Sequence, residues 1–78
     1  MPTILRAAGF RFFFHSNERS EPPHVHVERG GACAKFWLQS PALVWQTGFT
    51  PAELRRVRRM IGLQRRKLPE DWHEYQGV

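Results

Sequence analysis

Two alternating runs flank the pair Gly30-Gly31, and that arrangement constrains the fold more than any other stretch of the chain. Upstream, His24-Val25-His26-Val27-Glu28-Arg29 alternates polar and apolar residues, as a half-buried strand does. Downstream, Cys33 to Leu38 repeats the pattern with Ala34, Phe36 and Leu38 as its apolar members. Two glycines between such runs read as a tight hairpin turn. Centring the hairpin on them fixes the pairing: Arg29 with Ala32, Glu28 with Cys33, Val27 with Ala34, His26 with Lys35, Val25 with Phe36, His24 with Trp37. A slip of one residue would exchange the two faces. Val25, Val27, Ala34, Phe36 and Leu38 therefore form a core face. His24, His26, Glu28, Cys33, Lys35 and Trp37 form the opposite one. Pro22-Pro23 lack N–H groups and favour an extended approach to the hairpin.

The remaining elements follow from shorter signals. Thr3 to Arg6 reads as a first strand, Ala7-Ala8-Gly9 as a three-residue loop, and Phe10 to His15 as a second strand. Phe10, Phe12 and Phe14 share its core face; Arg11, Phe13 and His15 share the other. Ser16 to Glu21 is a polar loop. Gln39 to Phe49 reads as a connection with a short helical turn at Ala42 to Gln46, ended by Gly48. Thr50-Pro51-Ala52-Glu53 then starts a helix, with Thr50 as N-cap, Pro51 in the first helical position and Glu53 closing a capping box. Leu54, Val57, Ile61 and Leu68 fall on one side of it, and Arg55, Arg59 and Arg66 on the far flank, with Arg56 and Lys67 beyond. Leu63 lies among these basic residues. Pro69 ends or kinks the helix near Leu68, and Asp71 to Tyr75 continue as a short helical piece with Trp72 docked. The expected fold is α+β: one domain over 1–78, a small antiparallel four-stranded sheet in the order β-β-β-β-α, and one long basic helix packed on one face.

Composition narrows the functional classes. The single cysteine, Cys33, excludes an internal disulfide and a cysteine-rich zinc site. No apolar run approaches the roughly 18 residues of a membrane span. The N-terminal Met1-Pro2-Thr3-Ile4-Leu5-Arg6 lacks the pattern of a signal peptide, so a cytoplasmic protein without a membrane association is expected. The formal charge of +5 is unevenly spread. Residues 50–68 carry seven Lys/Arg and one Glu, whereas 69–78 carry Glu70, Asp71 and Glu74 and no Lys/Arg. Such a basic segment suits phosphate backbones or an acidic protein. Otherwise it is a solvated helix face.

Met1-Pro2-Thr3-Ile4, Gly9-Phe10-Arg11-Phe12, Pro22-Pro23-His24-Val25-His26-Val27, Ala34-Lys35-Phe36-Trp37-Leu38, Gly48-Phe49, Glu53-Leu54 and Trp72 resemble the small bacterial family catalogued as domain of unknown function 4160. The likeness runs over nearly the whole chain. It implies a toxin–antitoxin component, encoded beside a second small protein. Pro69 departs from the family's pattern, in which an unbroken helix runs through that position.

Three chemistries fit the polar face. RNA cleavage without a metal needs a base for the 2′-hydroxyl, an acid for the leaving oxygen and positive charge for the phosphate. His24 and His26 are the candidate catalytic pair. Arg11 and Lys35 are candidates to hold phosphate, and Trp37 and Phe13 to stack bases. Arg55, Arg56 and Arg59 add a nucleic-acid-binding helix face. A toxin acting on RNA is the favoured function, with ribonuclease cleavage that needs no cofactor as one chemistry for it; two histidines on one strand face equally fit a structural or solvent-facing pair. In the second, His24 and His26 share a metal ion with Glu28 or His15 as third ligand. In the third, the protein is a non-catalytic module, an antitoxin or regulatory partner, that binds protein or nucleic acid through its arginines, with Leu63, Met60 and Trp45 supplying apolar contact. Expected partners are a small acidic protein encoded nearby, a second copy of the chain as a homodimer, and RNA.

Overall fold

The hairpin around Gly30-Gly31 has the register its sequence dictates: all six pairs, from Arg29 with Ala32 to His24 with Trp37, occur as expected. The computed structural model describes residues 3–15 and 20–77. In chain order the elements are β1 (Thr3–Ala7), β2 (Phe10–Phe13), β3 (His24–Arg29), β4 (Ala32–Trp37), β5 (Ala42–Thr47), α1 (Pro51–Leu63) and α2 (Lys67–Gln76). The strands form one antiparallel sheet in the order β1-β2-β3-β4-β5. Among the described residues no helix is long and apolar enough to cross a membrane.

The α+β class holds, but four strands and one long helix do not. The sheet has a fifth strand, β5, where a helical turn at Ala42 to Gln46 was expected. The outer edge of β4 carries backbone N–H and C=O groups that need partners, and a helical turn there would leave them unmet. Val44, Trp45 and Thr47 also suit a pleated surface. A bulge between Lys35 and Phe36 makes Val44 the extra residue: Lys35 pairs with Trp45, and Phe36 with Leu43. The first hairpin loop is two residues rather than three. Ala8 and Gly9 both take positive φ, 52° and 83°, which matches the twist of the flanking strands.

The valine face of the sheet is the core face. Phe10, Phe12, Phe14, Val25, Val27, Ala34, Phe36 and Leu38 pack with Phe49, Val57 and Ile61, and with Leu68 and Trp72 of α2. Fully burying side chains of this size contributes about 1.5–3 kcal/mol each. The capping box forms as expected: Glu53 N donates to Thr50 Oγ1 at 3.1 Å, and Thr50 N to Glu53 Oε1 at 2.9 Å.

The expected long helix is divided before Pro69. Gly62 weakens the end of α1, and Gln64 N and Arg65 N donate to the carbonyls of Ile61 and Gly62 in a tightened last turn. Pro69 then sits in the first turn of α2. N–H groups there have no intrahelical acceptor, so its missing donor costs little. Restarting the helix turns Leu68, Trp72 and Gln76 inward, four residues apart.

Candidate functional site

Antiparallel pairing lays side chains across the sheet in rows. On the face away from α1, one row runs Phe13, His26, Lys35, Trp45 over β2 to β5. The next runs Arg11, Glu28, Cys33, Thr47. His24 and Trp37 stand opposite each other on the same face. His26 is the centre of the arrangement. Its ring centroid lies 5.6 Å from Phe13, 5.4 Å from His24, 6.3 Å from Trp45 and 3.9 Å from His15.

Both histidines of the candidate pair are on the expected face, yet neither is open to solvent: His24 is 1% and His26 6% exposed. His24 is packed between Trp37 and Trp72, with ring centroids 5.8 and 6.1 Å away. Its Nδ1–H donates to the Pro22 carbonyl at 2.9 Å. A carbonyl only accepts, so Nδ1 carries a proton. Pro22-Pro23 thus fix a ring as well as a strand approach. His15 is half-buried beside His26, just past the end of β2. Its backbone is held from the helical layer, where Gln76 Nε2 donates to the His15 carbonyl at 2.8 Å.

Two cations of this face, Arg11 and Lys35, are ion-paired. Arg11 Nη1 lies 2.7 Å from Glu28 Oε1, and its Nε donates to Thr3 Oγ1 at 2.7 Å. Its guanidinium lies over Phe13 at 4.4 Å. Lys35 Nζ donates to Glu21 and lies 5.1 Å from the Trp37 ring centroid. Glu21 Oε1 is also 4.0 Å from His24 Nδ1. Among the described residues, no three His, Cys, Asp or Glu side chains are placed to share one metal ion.

The candidate arginines are elsewhere. α1 packs on the core face, so Arg55, Arg56 and Arg59 lie across the sheet from the histidines. They also divide between two flanks. Arg55 and Arg59, with Arg58, line a groove of about 530 Å³ whose apolar wall includes Phe36, Leu43 and Leu54. Arg56 instead reaches over Phe10, 5.7 Å from its centroid.

Glu21 and Trp45 join the site though neither was expected on this face, and His15, expected there as a third metal ligand, lies against His26. His15 follows Arg11 and Phe13 in strict alternation, and that signal alone places it on this face. Trp45 was hidden by reading its segment as helical. Glu21 sits in a loop, where no periodicity marks it.

No curated protein and no solved structure matches the chain. One family does, over residues 9–73: that described as "Domain of unknown function (DUF4160)". That span takes in β2 to α1, the histidine face and most of α2, and by it the chain belongs to the DUF4160 family.

Proposed function

We propose that the protein is the RNA-directed toxin of a toxin–antitoxin pair, working in the cytoplasm beside a small acidic protein encoded nearby, and that its histidine face cleaves RNA. The observation that carries this reading is the contact of His15 with His26 on a face that also presents Arg11, Lys35, Trp37 and Trp45. One ring, neutral, takes the 2′-hydroxyl proton as that oxygen attacks the adjacent phosphorus. The other, protonated, gives a proton to the 5′-oxygen as its bond to phosphorus breaks. The products are a 2′,3′-cyclic phosphate and a 5′-hydroxyl. Lys35 and Arg11 exchange a carboxylate for the phosphate. The carboxylates are the more exposed partners of the two pairs, Glu28 at 43% and Glu21 at 39%, and turn to solvent as the phosphate takes their place. Trp45 and Trp37 stack bases. His24, deeply buried and tied to Pro22, positions the ring of His26 rather than moving a proton itself.

The test is cleavage of an end-labelled oligoribonucleotide by the purified protein. His15→Ala and His26→Ala should each slow it by about 100-fold or more, and a substrate with 2′-deoxyribose at every position should stay intact. Wild-type rates in both variants, or equal cleavage of the deoxy substrate, would sink the reading.

A second reading is favoured by the burial of His24 and His26 together with the arginine groove on the other side of the sheet. In it the protein binds nucleic acid or a partner without cutting. Affinity for RNA would then fall steeply with salt, and Arg55→Ala, Arg56→Ala and Arg59→Ala together would flatten that slope while the histidine variants would not.

A further inference from the structure

We infer that β5 and the arginine groove beside it receive an extended acidic segment of a partner protein, which adds to the sheet as a sixth strand. The inference rests on the partner half of the proposed function and not on RNA cleavage.

β5 ends the sheet, so one side of its backbone has no neighbouring strand among the described residues. Protein edges of this kind usually carry lysine, proline or an inward charge that discourages further pairing. From Ala42 to Thr47 there is no charged residue and no proline. Leu43, Val44 and Trp45 are 37%, 38% and 45% exposed, three of the four large exposed apolar side chains among the described residues. The bulge at Val44 is the one local irregularity.

The chemistry of the occupant comes from the groove. Arg55, Arg58 and Arg59 stand over Leu43, Leu54 and Phe36. Among the described residues, no ion pair joins any of these three arginines to a carboxylate. A strand laid along β5 sends alternate side chains to the two faces of the sheet. Those on the groove side meet three guanidiniums and an apolar wall, which carboxylates and aliphatic groups complement. Those on the other side meet Trp45. A second copy of this chain is the weaker candidate, because pairing β5 with β5 would bring two sets of these arginines together and like charges disfavour that pairing.

Main-chain bonding to a sheet edge, with side-chain pockets on alternate faces, is an established mode of peptide capture. Its consequence here is specific. The Trp45 ring is 6.3 Å from that of His26, so a segment on β5 covers the margin of the histidine face. An acidic partner seated there would obstruct RNA by position and repel its phosphates by charge.

The experiment uses the full chain, without RNA, and two fluorescein-labelled peptides: alternating valine and glutamate, and the same length of alternating valine and lysine. The acidic peptide should bind at least about tenfold more tightly at low salt. Its binding should slow amide exchange across residues 42–47 and reduce acrylamide quenching of tryptophan emission, the latter effect being lost in Trp45→Phe. Arg55→Glu, Arg58→Glu and Arg59→Glu combined, all at exposed positions, should keep the circular dichroism spectrum and lose about tenfold in affinity or more. Equal binding of the two peptides, no binding up to about 1 mM, or exchange protection outside β5 would overturn the inference. So would concentration-dependent dimerisation that protects the same strand, which would give the edge to a second copy. A protein that binds the acidic peptide but never cleaves RNA would keep this inference and remove the cleavage reading.

Discussion

His15 and His26 meet edge to face, their ring centroids 3.9 Å apart and their planes inclined by 64°. The two residues come from opposite sides of the loop between β2 and β3, and each is held by a different layer. β3 fixes His26 through its register with Lys35. α2 fixes His15 through the Gln76 amide on its carbonyl and through Tyr75 against Phe14, with ring centroids 5.9 Å apart. The distance between the rings is therefore a property of how α2 docks on the sheet.

Burial separates the roles of the histidines. His24→Ala empties a site enclosed by Trp37 and Trp72 and should cost about 2 kcal/mol or more. For a domain of this size that lowers the melting temperature by roughly 10 °C. His15→Ala, at a half-buried position, should move it by only a few degrees and still lose RNA cleavage. Thermal melts alongside the cleavage assay check both. An equal loss of stability in the two variants would make the cluster a structural clasp.

Glu21 holds Lys35 and competes with any phosphate for it. Glu21→Gln should raise affinity for a short oligoribonucleotide severalfold and steepen its salt dependence by about one unit of slope, since one more cation is available. Lys35→Ala should reverse both effects. Fluorescence anisotropy over a salt series gives the measurement, and unchanged slopes would place RNA away from this face.

Trp72 is 2% exposed, and its indole Nε1 has no hydrogen-bond partner among the described residues. A buried donor left without a partner costs about 1–3 kcal/mol. Trp72→Phe removes that donor while keeping an aromatic ring in the core. The loss of packing is then largely offset, and the variant should stay within about 1 kcal/mol of the parent, against about 3–5 kcal/mol for Trp72→Ala. Chemical denaturation of both variants tests this.

The carboxyl of Glu53 is held below its ordinary value of 4.5, chiefly by the hydrogen bond from the Thr50 backbone N–H, with Arg29 and Arg56 adding attraction for the charged form. A depressed carboxylate stabilises the fold above its unfolded pKa, and that contribution is lost as pH falls through the folded value. Glu53→Gln should therefore melt below the parent at neutral pH, and the two curves should converge as the pH drops below 4.5. Thr50→Ala removes the reciprocal cap and should cost about 1 kcal/mol.

By itself the sequence determined whatever depends on local stereochemistry and strict alternation. Gly30-Gly31 set the turn, the turn set the register, and the register sent valines one way and histidines the other. Thr50 to Glu53 specified their cap because each donor finds its acceptor within three residues. Tertiary structure decided the rest. The short apolar run Ala42 to Gln46 suits a strand or a helix, and became β5 because β4 had an edge to pair. The helix broke at Gln64 rather than at Pro69 because a restart there carries Leu68 and Trp72 into the core. Alternation placed His24 and His26 on the polar face but was silent on their burial. The rings that enclose His24 come from Trp37 across the hairpin and from Trp72, 48 positions along the chain. Contacts between residues so far apart in sequence follow from how layers pack, which no local pattern encodes.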